Sequence, residues 1–211
     1  MIDSYILDYS CLEPLNVPRE TFPDLEEFRQ AVLEKNKAMN LISKNTEVIS
    51  KERHVIDSAQ IIDLIDLNAP ICTDIGSGSG FPGIVLAIIM KHKNSEMKFK
   101  LYEKSYHKSN FLKEVTTKFE LNVEVLQKDI FNEKNLRSDI IVARAFKPLP
   151  VVLNLIHNNF TSFKEVIIFL GKNGKKILEE ASIDWKFKYS LKKSITSSDS
   201  TIIKIKNLEK K

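Results

Sequence analysis

The spacing of apolar residues changes near residue 70 of this 211-residue chain. Before that point, apolar side chains such as Leu25 and Phe28 recur three or four positions apart, which is the period of an amphipathic helix. The pattern predicts one helix over residues 21–39, with Thr21 as its N-cap, and a second helix over residues 51–67. The first seventy residues are therefore expected to be helical.

From residue 71 onward, short apolar runs alternate with helical segments, which is typical of a parallel sheet built from βαβ units. The predicted strands are residues 71–75, 99–102, 123–126, 139–143, 166–170, 187–191 and 201–205. The predicted helices between them are residues 82–91, 106–119, 150–158 and 173–181. Only residues 194–200 separate the last two strands, so we expect an antiparallel hairpin at the sheet edge.

These elements predict an α/β protein with a Rossmann-like, mostly parallel sheet of about seven strands. Residues 1–70 would form an N-terminal helical cap and residues 71–211 the core of one compact domain. With 43% hydrophobic and 28% charged residues, the composition is that of a soluble globular protein. The longest apolar run, residues 83–90, is far shorter than the roughly 20 residues of a membrane span. A cytoplasmic protein is expected.

Charge is distributed unevenly along the chain. Residues 1–70 contain 7 Lys and Arg against 13 Asp and Glu, residues 71–150 contain 13 against 9, and residues 151–211 contain 12 against 6. The basic C-terminal two thirds favour an anionic partner such as nucleic acid. Cys11 and Cys72 lack CxxC spacing and a nearby His, which favours free thiols and no bound metal.

Four of the six glycines lie between Asp74 and Gly83, where the first strand should turn into a helix. Glycines let a ligand lie against the backbone, so we expect a nucleotide-like ligand at Gly76 and Gly78. The segment matches the GxGxxG pattern of dinucleotide sites. The carboxylate of Asp74 would repel a pyrophosphate, however, and could accept hydrogen bonds from an ammonium group. S-adenosylmethionine, which has an amino group and no phosphate, fits better.

Polar residues also follow the next three strands. Glu103 stands where an α/β sheet uses an acid to hold ribose hydroxyls. Asp129 could accept a hydrogen bond from an adenine amino group, with the backbone N–H of Ile130 directed at the ring. Arg144 ends the fourth strand, where it could bind a cofactor carboxylate, an RNA phosphate or the edge of a guanine.

His54 and Asp57 share one face of the second predicted helix, because they are three positions apart. They could reach toward the ligand expected at the glycine-rich turn, or they could form a local pair that fixes the helix end. A Ser-His-Asp hydrolase is disfavoured, since the chain has no GxSxG elbow that would place Ser77 or Ser79 as the nucleophile.

Several segments match one family pattern in order and spacing. They are Met39-Asn40-Leu41, Arg53-His54-Val55-Ile56-Asp57-Ser58, Asp74-Ile75-Gly76-Ser77-Gly78-Ser79-Gly80-Phe81-Pro82-Gly83, Tyr102-Glu103, Lys108-Ser109-Asn110-Phe111-Leu112 and Ala143-Arg144-Ala145. In these segments the chain resembles the RsmG (GidB) family of 16S ribosomal RNA methyltransferases. It departs from the family at Ala143, where Ser is usual, at Leu170-Gly171, where Lys-Gly is usual, and at Lys128-Asp129, which replaces Arg-x-Glu.

The resemblance implies a class I S-adenosylmethionine-dependent methyltransferase fold and methyl transfer to N7 of a guanine, guanine 527, in the 530 loop. The cofactor contacts it implies are Gly76, Phe81, Asp129, Ile130 and Arg144, with Glu103 on the ribose side. Guanine N7 carries no proton, so the reaction asks for orientation and not for a general base. Asp57, Arg144 and His54 are the expected catalytic residues.

The expected partner is 16S ribosomal RNA or the small ribosomal subunit, bound by a monomer. The lysines expected at the pocket mouth are Lys104, Lys108, Lys147 and Lys172. Three alternatives stay open: a methyltransferase of another RNA or small molecule, a catalytically silent RNA-binding protein on the same fold, and an NAD-dependent dehydrogenase.

Overall fold

The computed structural model describes residues 8–171 and 173–211. Its strands are, in chain order, β1 (Ile71–Ile75), β2 (Lys98–Tyr102), β3 (Val123–Leu126), β4 (Leu136–Arg137), β5 (Ile140–Arg144), β6 (Phe160–Ser162), β7 (Glu165–Gly171), β8 (Trp185–Lys193) and β9 (Thr201–Lys210). Seven of them form one sheet in the order β3-β2-β1-β5-β7-β9-β8, and β4 pairs with β6 in a small separate sheet.

The predicted strands are confirmed, and the pairing has the predicted sense. Strands β1, β2, β3, β5 and β7 are parallel, whereas β9 runs antiparallel to both β7 and β8. The last strand extends to Lys210 and not only to Ile205, and β9 lies inside the sheet with β8 at the edge. The short β4 and β6 strands were not predicted.

Helices cover both faces of the sheet. They are α1 (Phe22–Asn36), α2 (Lys44–Glu47), α3 (Asp57–Ala59), α4 (Gly83–Lys93), α5 (Tyr106–Lys118), α6 (Leu149–Asn159) and α7 (Gly174–Asp184). On β5, Val142 joins the cluster that contains α1, α4 and α5, while Ile141 and Ala143 join the cluster that contains α6 and α7. Alternate strand residues thus face opposite layers, as the two-residue period of a strand requires.

The N-terminal segment shares its core with the sheet. Leu12, Leu25 and Phe28 are fully buried in the cluster that includes α4. Thr21 holds the predicted N-cap position of α1, but its hydroxyl donates to the carbonyl oxygen of Pro18 at 2.6 Å and makes no capping hydrogen bond to the helix. A short 3-10 turn precedes α1, so this carbonyl is close enough to compete for the hydroxyl. The division of the chain at residue 70 stays a prediction.

The second predicted helix is a continuous helical segment of mixed type. It is π-helical over Lys51–Ile56, α-helical over α3 and 3-10 over Gln60–Leu64. It ends before the predicted Leu67, because Ile65 already has an extended backbone with ψ of 131°. π-Helical turns occur often at functional sites, and this one carries His54.

No helix among residues 8–171 and 173–211 is long and apolar enough to cross a membrane. Cys11 and Cys72 are free thiols, and burial raises the pKa of both.

Candidate functional site

The glycine-rich turn after β1 is fixed by the end of β2. The N–H groups of Gly76 and Ser77 both donate to the carbonyl oxygen of Tyr102, each at 3.0 Å. Gly76 has φ of +72°, and a Cβ there would lie 2.0 Å from Cδ2 of Phe146. This position therefore requires glycine for both its backbone conformation and its close contact.

The glycines of the GxGxxG match do not all face a ligand. Gly78 lines the cavity described below, and the nearest atom to a Cβ there would be 3.8 Å away. Gly80 packs against Ile84 and Gly83 packs against Asp74, both inside the protein. In a dinucleotide site the second glycine lets the backbone approach the pyrophosphate, but here that glycine, Gly80, packs against Ile84, so the dinucleotide interpretation is not supported.

Asp74, at the end of β1, is 1% exposed and does not line the cavity. Its Oδ2 accepts a hydrogen bond from the Gly83 N–H at 2.9 Å, which ties β1 to the start of α4. Its Oδ1 has no hydrogen-bond partner among the described residues. Burial raises the pKa of Asp74 to about 7, although the Gly83 N–H opposes this shift.

Glu103, directly after β2, connects the glycine-rich turn to α5. Its Oε2 accepts from the Gly78 N–H at 2.9 Å, and its Oε1 accepts from the Ser105 N–H at 2.7 Å. Each carboxylate oxygen has further lone pairs, so the side chain can still accept hydrogen bonds from a ligand. Glu103 lines the cavity at the place where the sequence predicted a ribose contact.

Asp129 and Ile130 follow β3 on the same side of the cavity. Asp129 Oδ1 accepts from the Phe131 N–H at 3.2 Å, and its Oδ2 lies 3.4 Å from Lys104 Nζ. The ring of Phe131 stacks on that of Phe146 with centroids 5.8 Å apart. This corner offers an aromatic wall beside a carboxylate, which suits a planar base.

Arg144, Asp57 and His54 form one partly buried cluster at the carboxyl end of β5. Arg144 Nη2 lies 3.1 Å from Asp57 Oδ2 and also donates to the carbonyl oxygen of Arg53. Arg144 Nη1 lies 3.2 Å from Nδ1 of His54, and its guanidinium carbon lies 5.6 Å from the ring centre of Phe169. The sequence placed His54 and Asp57 on one helix face, and the structure connects them through Arg144.

His54 is held as a neutral ring. Burial first, and then the charges of Arg144 and Arg53, lower its pKa to about 3. Because Nδ1 faces a guanidinium, which only donates, we assign the proton to Nε2, which lies 2.9 Å from the Thr46 hydroxyl. The ring also stacks on Phe81 with centroids 5.2 Å apart, so one face and both ring nitrogens are held.

A third contributor, the loop between β8 and β9, was not predicted from the sequence. Ser194 and Thr196 in this loop donate to Asp57 Oδ1 at 2.9 and 3.0 Å. Gln60 Nε2 donates to the same oxygen at 2.7 Å. A polar loop between two strands has no feature that would identify it as a contact of a residue almost 140 positions away in sequence.

These groups surround a cavity of about 760 Å³ at the carboxyl edge of the sheet. Of the predicted site residues it is lined by His54, Asp57, Gly76, Gly78, Phe81, Glu103, Lys104, Lys108, Asp129, Ile130, Arg144 and Lys147. Lys172 lies outside the described residues. The volume suits a nucleoside-sized ligand, and the donors and acceptors suit one with a ribose and a carboxylate. Among the described residues, no cluster of His, Cys, Asp and Glu could hold a metal ion.

The fold is shared with solved methyltransferases of low sequence identity. An O-methyltransferase from Bacillus cereus in complex with SAH aligns with a TM-score of 0.57 at 18% identity, covering 94% of this chain and 96% of that one. The 16S rRNA methylase RmtB aligns with a TM-score of 0.54 at 11% identity, covering 90% of this chain and 76% of that one. The predicted class I methyltransferase fold is confirmed.

Sequence comparison is more specific. Ribosomal RNA small subunit methyltransferase G of Pelagibacter ubique (strain HTCC1062) is 50% identical over 207 residues, covering 97% of each chain. The protein of the same name from Rickettsia felis is 34% identical over 196 residues, covering 93% of this chain and 98% of that one. The family model described as GidB, rRNA small subunit methyltransferase G, matches residues 21–205. The chain therefore belongs to the rRNA small subunit methyltransferase G family.

Proposed function

We propose that the protein transfers a methyl group from S-adenosylmethionine to N7 of guanine 527 in the 530 loop of 16S ribosomal RNA. The observation that carries this choice of atom is that the basic atoms beside Arg144 are already engaged. Nδ1 of His54 faces Arg144, and both oxygens of Asp57 accept hydrogen bonds. Neither side chain is free to remove a proton from a substrate. Guanine N7 has a lone pair and no proton, so it needs only to be oriented.

The residues around the cavity fit S-adenosylmethionine, which supplies an electrophilic methyl group on its sulfonium sulfur. Glu103 would accept hydrogen bonds from the ribose hydroxyls beside the open backbone of Gly78. Asp129 and Ile130 would hold the adenine, next to the aromatic wall. Asp74 does not line the cavity, so it would support the site through its hydrogen bond to the Gly83 N–H and not through direct contact with the cofactor.

Arg144 would bind the carboxylate in the methionine half of the cofactor. A guanidinium has five N–H donors, and three are used by Asp57, His54 and the carbonyl oxygen of Arg53. The other two have no acceptor among the described residues. Arg144 also lines the cavity, so these donors are available to a carboxylate in a partly buried setting where such a bond is strong.

Lys104, Lys108 and Lys147 line the same cavity and would bind the phosphates of the RNA beside the target base. We propose that the protein acts as a monomer on the RNA of the small ribosomal subunit. The target base would leave its stack to enter the cavity.

The test is transfer of labelled methyl from S-adenosylmethionine to 30S particles that lack this modification, compared with naked 16S RNA. The labelled base is mapped by chemical cleavage at N7-methylguanosine. We expect label at guanine 527 alone, and comparison of the two substrates shows which RNA state is recognised. Label on a different atom, base or RNA would contradict the proposal, and cofactor binding without transfer would indicate a silent RNA-binding protein.

A further inference from the structure

The loop between β8 and β9 closes over Asp57. Ser194 is 8% exposed and donates to Asp57 Oδ1 at 2.9 Å, and Thr196 donates to the same oxygen at 3.0 Å. Asp57 itself is 4% exposed. A buried carboxylate needs such donors, and here two of them come from a segment almost 140 residues away in sequence.

Gln60 connects the loop to the same carboxylate. Its Nε2 donates to Asp57 Oδ1 at 2.7 Å and lies 3.0 Å from the Ser194 hydroxyl oxygen. Its Oε1 accepts from the Ile195 N–H at 2.9 Å. Both ends of this buried amide are therefore used to hold the loop on the helical segment that carries Asp57.

The consequence for Asp57 is a fixed orientation. Three donors converge on Oδ1, which leaves Oδ2 for Arg144 at 3.1 Å. The side chain cannot rotate without breaking several hydrogen bonds at once. Asp57 thus holds one edge of the Arg144 guanidinium. Because the loop fixes Asp57, it also determines the direction in which the unused N–H groups of Arg144 point.

The loop is in turn fixed by the strands on either side of it. Lys192 Nζ at the end of β8 lies 2.6 Å from Asp63 Oδ2, and Lys204 Nζ on β9 donates to the carbonyl oxygen of Leu64 at 2.6 Å. Both contacts join the hairpin to the helical segment after Asp57. The loop is therefore held at a defined distance from the cavity.

We propose that Ser194, Thr196 and Gln60 are positioning residues that orient Arg144, through Asp57, toward the methionine half of the cofactor. This inference rests on the proposed function, which gives Arg144 the cofactor carboxylate. It assigns to the C-terminal hairpin loop a part in cofactor binding.

The experiment compares two ligands on the full-length protein. S-adenosylhomocysteine contains the amino acid that Arg144 would hold, and 5′-methylthioadenosine contains the adenosine and sulfur without it. In the double variant Ser194→Ala/Thr196→Val we expect the Kd of S-adenosylhomocysteine to rise about tenfold and that of methylthioadenosine to stay within about twofold. A merely structural role would weaken both ligands together. Ser198→Ala, an exposed serine of the same loop, is the matched control.

The outcomes separate the two proposals. If Arg144→Lys weakens S-adenosylhomocysteine selectively but the double variant does not, the positioning role is overturned alone. If Arg144→Lys changes neither ligand, the role of Arg144 fails and the positioning role fails with it. Equal weakening of both ligands in the double variant also overturns the inference. The single variants, each of which leaves one hydroxyl on Asp57, provide the same comparison if the double variant does not fold.

Discussion

At the scale of single residues, Asp74 combines a packing role with an unusual titration. The unfolded chain ionises this side chain above about pH 4, whereas burial keeps it protonated in the folded protein up to about pH 7. Unfolding therefore releases a proton in this window, and Asp74 makes the folded protein less stable as pH rises from about 4 to 7. Above pH 7 the cost is constant and reaches roughly 4 kcal/mol.

Asp74→Asn should remove this dependence, because an amide can accept the Gly83 N–H without ionising. We expect the free energy of unfolding of wild type, relative to Asp74→Asn, to fall across pH 4 to 7 and then to level off. Urea unfolding of both proteins at several pH values measures this difference in the free energy of unfolding. If the plots of unfolding free energy against pH stay parallel for the two proteins between pH 4 and 7, Asp74 is not protonated in the folded state.

Individual site residues could be predicted from the sequence where a suitable side chain directly follows a strand. Glu103, Asp129 and Arg144 could be predicted because each directly follows a recognisable strand, and the carboxyl ends of parallel strands meet at one edge. The connection of His54 to Asp57 through Arg144 could not be predicted, since it depends on how the helical segment packs over β5. The roles of Gln60 and Ser194 depend on a contact between distant segments, and nothing local marks them.

At the scale of elements, the turn from β1 into α4 depends on Gly83 for space. A Cβ on Gly83 would lie 2.6 Å from Asp74 Oδ2, inside a fully packed region. We expect Gly83→Ala to destabilise the protein by about 1 to 3 kcal/mol through this crowding. Urea unfolding at pH 7 measures the loss.

Gly78→Ala is the matched control in the same turn. Gly78 has φ of +56°, but no described atom would lie closer than 3.8 Å to its Cβ. Only the backbone strain of a left-handed residue remains, which costs about 1 kcal/mol. A Gly78→Ala variant that is less stable than Gly83→Ala would contradict this assignment of roles.

The strands could be predicted because their apolar runs are short and their separation by helical segments is regular. The helix type of residues 51–64 could not be predicted, because sequence periodicity cannot distinguish a π-helical turn from an α-helical one. The pair β4 and β6 is too short for a period to show, and it forms only because the ends of these strands meet in the fold.

At the scale of the whole molecule, three of the lysines predicted to bind RNA line the cavity, namely Lys104, Lys108 and Lys147. The triple variant Lys104→Gln/Lys108→Gln/Lys147→Gln should bind 16S RNA more weakly and with less dependence on salt. Each lost phosphate contact lowers the slope of log affinity against log salt by about 0.7 to 0.9, so a total change of about 2 to 3 is expected.

The control is a second triple variant with the same change in net charge, Lys93→Gln/Lys113→Gln/Lys188→Gln. None of these lysines lines the cavity. Titration of RNA at several salt concentrations compares the two proteins. Equal slopes would show that total charge, and not the cavity mouth, determines RNA binding.

The position of β9 inside the sheet has a consequence for synthesis of the protein on the ribosome. Among the strands that the structure describes, β8 pairs only with β9, and β9 pairs with β7 on its other side. Strand β8 therefore has no place in the sheet until the chain after it has been made. The loop that holds Asp57 lies between these two strands. A nascent chain can therefore form the glycine-rich turn early, but it completes the Arg144 cluster only when its last strand has emerged.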